Sequence, residues 1–129
     1  MEPGVRPQAT VRHVVGPEDT AAVLGSGSLD VLATPRLLAL MEAATVEAGA
    51  AQLPPGHTSV GMRVQLEHMR PTPIGAEVTI HARLAEVDGR QMRFEVTAEH
   101  ADGTLVASGQ VTRAVVDADK FMARAVGRP

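Results

Sequence analysis

The chain has 129 residues, 44% of them hydrophobic, with no cysteine and a formal net charge of −3. This length fits one domain with a genuine core and is too short for two. The absence of cysteine excludes disulfides, thiolate catalysis and a cysteine-ligated metal. The charge balance, without a basic run, argues against nucleic acid and anionic membranes as partners. The chain has no apolar run of about 18 residues and no signal-peptide core, so we expect a cytoplasmic protein.

The side chains available for the core are small. Phe94 and Phe121 are the only aromatic residues, so Val, Leu, Ile, Ala and Met must fill the interior. Because small side chains bury less area each, we expect a single subunit to be marginally stable. This favours oligomerisation.

The first third of the chain leads to a long helix. Residues 9–15 are β-rich in composition and predict the first strand. Residues 20–24 predict a short strand, and residues 25–30 (GSGSLD) predict a flexible loop. We expect residues 1–8, and residues 126–129 at the other end, to be flexible.

The helix itself is predicted over residues 33–52, with Thr34 as its N-cap and Pro35 as its first helical residue. It is apolar on nearly all sides, which predicts a helix wrapped by a sheet and not one lying on a surface. Glu42 borders the most apolar face, where a carboxylate costs free energy unless it has a partner. It is therefore the leading candidate for a functional residue.

After the helix the pattern alternates, as in strands. Strands are predicted over residues 58–69, 77–86, 90–101 and 104–116, with a short terminal helix or tail over 119–126. Asp88-Gly89 and Asp102-Gly103 are hairpin signals. The sum is an α+β domain in which a meander of four antiparallel strands curls around one long helix. This order of elements resembles the hot-dog fold.

Three polar residues suit acyl transfer: Thr34 at the helix start, Glu42 within the helix, and His68 at the end of a strand. An imidazole handles protons near neutral pH, and a helix start favours a developing oxyanion. Eight helical residues span about 12 Å, so Thr34 and Glu42 of one chain cannot touch. His68, or a water held by it, would have to connect them, and a dimer interface is one place for this.

Each of these residues also has a structural interpretation. Thr34 can act only as a cap, Glu42 can pair with a core arginine such as Arg113, and His68 can bond a backbone group. The remaining histidines have no metal-ligand spacing on a helix, and we assign no role to them; they are His13, His57, His81 and His100.

The chain resembles the hot-dog thioesterases, most closely the fluoroacetyl-CoA thioesterase-like group, over residues 10–122. The resemblance rests on TPRLLALMEAA with Thr34 and Glu42, GHTSVGMRVQLEHMRPTPIGAEVTI with Gly61 and His68, and GQVTRAVVDADKF with Arg113. The spacing from Thr to Glu to His is that of the group. The resemblance implies a homodimer or dimer of dimers that hydrolyses an acyl-CoA at the subunit interface.

Carried over by residue, Thr34, Glu42 and His68 form the catalytic set. Gly61 is a backbone contact near the thioester carbonyl, and Arg113 is a second substrate-binding position. No cofactor or metal is expected, because hydrolysis needs only water and a polarised carbonyl. Whether an acyl-enzyme forms on Thr34 or Glu42, or water attacks directly, stays open.

One departure concerns the acyl group. The fluoroacetyl-specific enzyme carries a phenylalanine-bearing lid just before its helix, whereas this chain has GSGSLDVLA there. The acyl group is therefore left open, and fluoroacetate resistance is not expected. The candidate arginines for the CoA phosphates are Arg63, Arg70 and Arg93.

Two other classes of function compete with this one. The first is a non-catalytic module of the same fold that binds acyl-CoA or another small ligand, since fold does not fix function. The second is a hydratase or dehydratase, which ranks last because the helix start lacks an Asp–His pair.

Overall fold

The computed structural model describes residues 7–127, which form one sheet and one long helix with short helices at either side. The expected flexibility of residues 1–6 and 128–129 lies outside this range. The elements in chain order are β1 (Gln8–Val14), α1 (Ala21–Leu24), α2 (Thr34–Gly49), β2 (His57–His68), β3 (Glu77–Asp88), β4 (Gln91–His100), β5 (Leu105–Asp117) and α3 (Ala118–Ala125).

The five strands form an antiparallel sheet in the order β1-β3-β4-β5-β2. Gly89 and Gly103 adopt positive φ at the two hairpin turns, as the Asp-Gly signals predict. The predicted meander of four strands is wrong in one respect, because β2 pairs with β5 at the far edge and not with β3. The chain leaves this edge through the proline-rich segment and crosses towards β1, where Val15 N–H bonds to the Ala76 carbonyl.

The alternation predicted for β3 and β4 is confirmed. Val78, Ile80, Ala82 and Leu84 of β3 are buried, as are Met92, Phe94, Val96 and Ala98 of β4. These two rows form the sheet side of the core. α2 supplies the other side and packs mainly on β1 and β3. The architecture is the α+β hot-dog arrangement that the sequence predicts.

The start of α2 differs by one residue from the prediction. Ala33 is the N-cap, with extended backbone angles, and its carbonyl accepts the Leu37 N–H at 2.9 Å. Thr34 is therefore the first helical residue, and its hydroxyl does not cap the helix. At the other end, α2 closes at Gly49, and residues 50–52 form a single 3₁₀ turn.

Residues 20–24 form a turn of helix and not the predicted strand. The Thr20 hydroxyl accepts the Val23 N–H at 3.3 Å, and Gly25 ends α1 in the left-handed conformation. This pair of cap signals outweighs the β-rich composition. None of the helices in residues 7–127 is long and apolar enough to cross a membrane.

Apolar residues of α2 and β2 are exposed to solvent on one side of the molecule. On α2, Ala39, Ala43 and Val46 are exposed at helical spacing, and on β2 the exposed run includes Met62 and Val64. β2 is also an edge strand, with one side free of strand partners in residues 7–127. The single chain therefore wraps only part of the apolar helix. We call this surface the α2–β2 face.

Candidate active site

Thr34 and His68 form a direct contact. The Thr34 Oγ1 lies 2.8 Å from His68 Nδ1, which joins the first residue of α2 to the last residue of β2. The contact follows from the fold, because α2 crosses the sheet so that its N-terminus reaches the end of the edge strand. Thr34 is exposed and His68 is half-buried, so the hydroxyl stays accessible.

The other ring nitrogen of His68 has a different environment. Nε2 is buried and has no hydrogen-bond partner in residues 7–127. Burial lowers the pKa of His68 below its ordinary value of 6.5, while a backbone contact with Arg70 acts in the opposite direction. His68 is therefore neutral at pH 7, and a neutral imidazole is the form that accepts a proton.

Glu42 lies in a second group. Its Oε2 accepts a hydrogen bond from Arg113 Nη1 at 3.2 Å. Arg113 is 6% exposed and also donates to the Ser59 hydroxyl at 2.8 Å and the Ser59 carbonyl at 3.0 Å. The guanidinium is thus satisfied on both β2 and α2, which holds it in one orientation. The pairing of Glu42 with Arg113 is the structural interpretation that the sequence offered.

Gly61 lies beneath this carboxylate. A Cβ at position 61 would come within 2.5 Å of Glu42 Oε2 and 3.8 Å of Arg113 Nη1. Gly61 pairs with Arg113 in the sheet, and the register between β2 and β5 shifts immediately after it. The glycine therefore gives Glu42 room to approach the strand. Ser59 is the one member of this group that the sequence analysis did not identify.

The fold does not bring the three predicted catalytic residues together within one chain. Thr34 and His68 touch, whereas Glu42 and Gly61 lie in the group around Arg113. Eight residues of α2, about 12 Å of helix, separate Thr34 from Glu42. Both groups join a residue of α2 to a residue of β2, the two elements that carry the α2–β2 face.

A buried carboxylate supports the start of α2. Asp19 is 1% exposed and accepts hydrogen bonds from Arg36 Nε at 2.8 Å, the Gly16 N–H at 2.8 Å and His13 Nε2 at 2.7 Å. Its carbonyl also accepts the Ala33 N–H at 2.9 Å. The sequence did not indicate this cluster, and His13 had no predicted role, because the partners are dispersed over 24 residues and form no local motif.

The arrangement suits nucleophilic or general-base chemistry. A hydroxyl hydrogen-bonded to a neutral imidazole is the pairing through which a base activates an alcohol or a water. A carboxylate held by a buried guanidinium has a fixed position and can accept a hydrogen bond from a second water. No group of three or more His, Asp or Glu in residues 7–127 has the geometry of a metal site.

Known proteins of similar structure and sequence identify the class of this chain and its family. A long helix packed on a five-stranded antiparallel sheet in this order is the arrangement of the hot-dog proteins, a class that includes thioesterases. A Thermus thermophilus protein described as a thioesterase superfamily member superposes with a TM-score of 0.85 at 26% identity, over 95% of this chain and 91% of that chain.

The family is more specific. The profile described as FlK, the fluoroacetyl-CoA-specific thioesterase, matches residues 15–119. The fluoroacetyl-CoA thioesterase of Streptantibioticus cattleyicolor is 37% identical over 120 residues, which are 93% of this chain and 83% of that protein. A crystal structure of the fluoroacetyl-CoA thioesterase FlK has a TM-score of 0.87 at 33% identity, over 97% and 96% of the two chains. The chain belongs to the FlK thioesterase family, and the prediction of a thioester hydrolase is confirmed.

Proposed function

We propose that the chain hydrolyses the thioester of a small acyl-CoA at a homodimer interface. In this site, Thr34 and His68 of one subunit meet Glu42 and Gly61 of the partner subunit. The observation that carries the proposal is the 2.8 Å contact between Thr34 Oγ1 and His68 Nδ1. One solved relative, a mutant of FlK with 34% identity to this chain, is described as a complex with fluoroacetate and CoA.

The chemistry starts at the neutral His68. Its Nδ1 accepts a proton from the Thr34 hydroxyl, or from a water that replaces it, and the oxygen attacks the thioester carbonyl carbon. The C–O bond forms, the C–S bond breaks, and the leaving thiolate of CoA takes the proton back from the imidazolium. On the covalent route, water then hydrolyses the acyl ester on Thr34. On the direct route, the first attack already gives the free acid.

In this proposal, Glu42 acts on the oxygen of the attacking water. The hydrogen bond from Arg113 holds its carboxylate in place, so that Glu42 can accept a hydrogen bond from the attacking water. An acyl-enzyme on Glu42 is the remaining covalent route. Gly61 keeps the strand backbone open beneath the carboxylate, at the position proposed for the thioester carbonyl.

The open α2–β2 face supports a homodimer. Thr34 and Glu42 are about 12 Å apart along one helix, so a single chain presents only half of the set. Two copies related by a two-fold axis perpendicular to β2, at the middle of this edge strand, would run their α2 helices antiparallel and bring opposite halves together. The same contact would cover the exposed Val46, Met62 and Val64. A dimer of dimers is compatible with the same active unit.

The acyl group in this proposal is small but not specified. Residues 25–30, before α2, are exposed and contain no aromatic side chain, so the lid that selects fluoroacetyl in the family's namesake has no counterpart here. Because acyl-CoA esters are intracellular metabolites, the proposed activity implies a cytoplasmic protein.

Thiol release from a panel of acyl-CoAs, short to long and including phenylacetyl-CoA, tests the proposal. We expect His68→Ala and Glu42→Ala to lose at least about a hundredfold in kcat/KM, since each removes a proton-handling group. The matched controls are His81→Ala, on the outer side of β3, and Glu47→Ala, an exposed residue of α2. These should stay within about twofold of the wild type.

Two results would contradict the proposal. If the folded wild type binds acyl-CoA but cleaves no member of the panel, the chain is a binding module. If the His68 and Glu42 variants match their controls, the Thr34–His68 contact is structural and the reaction occurs elsewhere.

A further inference from the structure

A cleft lies at the end of β2 opposite to His68. Its volume is about 390 Å³, and it opens between the start of β2, the end of β5, the β3–β4 turn and α3. The residues that give it its chemistry are His57, Arg90, Asp117, Lys120, Phe121 and Arg124. We call it the basic cleft.

Three cations line the basic cleft. Arg90, Lys120 and Arg124 have no ion-pair partner within residues 7–127, and Lys120 is the only lysine of the chain. The carboxylate that faces them, Asp117, accepts the Lys120 N–H at 3.0 Å as the N-cap of α3. Against one carboxylate the cleft thus presents three positive charges, in a protein whose net charge is −3. Such a concentration of unpaired cations indicates an anionic ligand.

These charged side chains line one common cleft. The hydrogen bond from the Lys120 N–H lowers the pKa of Asp117, and the nearby Lys120 ammonium lowers it further. His57 bonds the Pro55 carbonyl through Nδ1 at 2.9 Å, which leaves its Nε2 available to a ligand. Arginine forks and a lysine ammonium are the groups that bind phosphate oxygens.

Phe121 narrows the class of ligand further. It is 39% exposed and lines the basic cleft, whereas the other aromatic residue, Phe94, is fully buried. An exposed ring beside arginine side chains is a surface on which a nucleobase stacks. Phosphate-binding cations next to an aromatic face fit a nucleotide better than they fit inorganic phosphate alone.

The basic cleft and the Glu42 group share one face of the sheet. His57, Ser59 and Gly61 alternate on β2, so their side-chain positions lie on the same side, and Arg113, Val115 and Asp117 do the same on β5. Ser59 and Gly61 contact the Arg113–Glu42 pair on the side of α2. His57 therefore lies on the helix side too, about 13 Å along the strand from Gly61.

This spacing matches the form of coenzyme A, in which an extended pantetheine arm separates the thioester from the phosphates and the adenine. We propose that the basic cleft binds the phosphorylated nucleotide end of the acyl-CoA, with Arg90, Lys120 and Arg124 on the phosphates and Phe121 against the adenine. This assignment rests on the proposed function and replaces Arg63, Arg70 and Arg93 as the candidates for those phosphates. Arg70 Nη1 already donates to the Leu105 carbonyl at 2.6 Å.

Kinetics with and without the nucleotide test the assignment. The substrates are the best acyl-CoA of the panel and the matching acyl-pantetheine, which lacks phosphates and adenosine. We expect the combined variant Arg90→Gln, Lys120→Gln and Arg124→Gln to raise KM for acyl-CoA by about tenfold or more, through lost charged hydrogen bonds. Its kcat for acyl-CoA, and both constants for acyl-pantetheine, should stay within about twofold of the wild type.

Arg12→Gln is the matched control, because it removes one exposed positive charge from β1, away from the cleft. Phe121→Ala should raise KM for acyl-CoA with no effect on acyl-pantetheine. The assignment is overturned if the combined variant leaves KM for acyl-CoA unchanged, or raises it equally for both substrates.

A separate measurement covers failure of the proposed function. If the wild type cleaves neither thioester, calorimetry tests whether the basic cleft binds a nucleotide. The ligands are CoA itself, ADP and inorganic phosphate. Binding of CoA that weakens about tenfold in the combined variant, but not in Arg12→Gln, would support a nucleotide site in a non-catalytic protein. Equal binding by wild type and variant, or no binding of CoA, would overturn the assignment.

Discussion

Gly61 affects both the packing of β2 against α2 and the proposed chemistry of Glu42. The atom that a Cβ would meet at 2.5 Å is the end of the flexible Glu42 side chain, not backbone. Glu42 can move aside at small cost in stability, but it then leaves Arg113 Nη1, with which it makes a 3.2 Å bond. The consequence of filling this position is therefore a displaced carboxylate in a folded protein.

We expect Gly61→Ala to lose at least about tenfold in kcat/KM, because a carboxylate moved by an ångström no longer orients its water. The free energy of unfolding should change by less than about 1 kcal/mol, since only a mobile side chain has to shift. Urea denaturation beside thiol-release kinetics measures both quantities.

Gly109→Ala is the contrasting variant. There a Cβ would meet the backbone carbonyl of Gln65, which cannot move without breaking the pairing of β2 with β5. It should destabilise the fold strongly, whereas Gly61→Ala should not. A fully active Gly61→Ala variant would show that the position of Glu42 is not important for the reaction.

At the scale of elements, Asp19 joins β1 to α2 through the turn between them. Burial alone would raise its pKa, but hydrogen bonds from Arg36, the Gly16 N–H and His13 outweigh burial and lower the pKa to about 2. A depressed folded pKa means that the ionised carboxylate stabilises the fold above its unfolded pKa of 3.8. That stabilisation is lost as the pH falls towards the folded pKa.

We expect Asp19→Asn to destabilise the protein at pH 6 by about 2 kcal/mol or more, the free energy that corresponds to this shift in pKa. The difference between wild type and variant should shrink at about pH 3, where the carboxylate of the unfolded wild type is largely protonated. Urea titrations at the two pH values measure it, with the exposed Glu86→Gln as the control. A difference that is independent of pH would show that the charge of Asp19 does not contribute.

The elements themselves were predictable where local pattern decides them. The alternation of β3 and β4 identified every buried residue of both strands, because one face of each must be covered. The hairpin turns followed from Asp-Gly. The neighbour of β2 did not follow, because alternation identifies a face and not a partner strand. Thr34 was predicted as the N-cap of α2 but is its first helical residue. Its hydroxyl bonds His68 instead of capping the helix, and this contact exists only in the tertiary structure.

The functional residues, too, could be predicted from the sequence only in part. Thr34 contacts His68, and Glu42 and Gly61 lie beside Arg113, but the joint role of these five residues in catalysis stays a prediction. The basic cleft was not predicted, because its cations come from a turn and from a terminal helix that lie 30 residues apart in the chain. Such a site has no linear sequence motif, because its residues come together only in the folded chain.

At the scale of the whole molecule, the two halves of the proposed catalytic set lie about 12 Å apart on α2, the helix that also carries part of the uncovered α2–β2 face. If the site forms between subunits, Thr34 and His68 come from one chain and Glu42 from the other. Two inactive variants that damage opposite halves should then complement each other, whereas variants that damage the same half should not.

We expect a refolded equimolar mixture of His68→Ala and Glu42→Ala to recover about a quarter of wild-type activity. Half of the dimers are then hybrids, and one of the two sites in each hybrid is intact. A mixture of His68→Ala and Thr34→Ala should recover nothing, because every site lacks a member of the same half. Native mass spectrometry of differently tagged chains confirms that hybrids form. Hybrids without activity in the first mixture would show that the site lies within one chain.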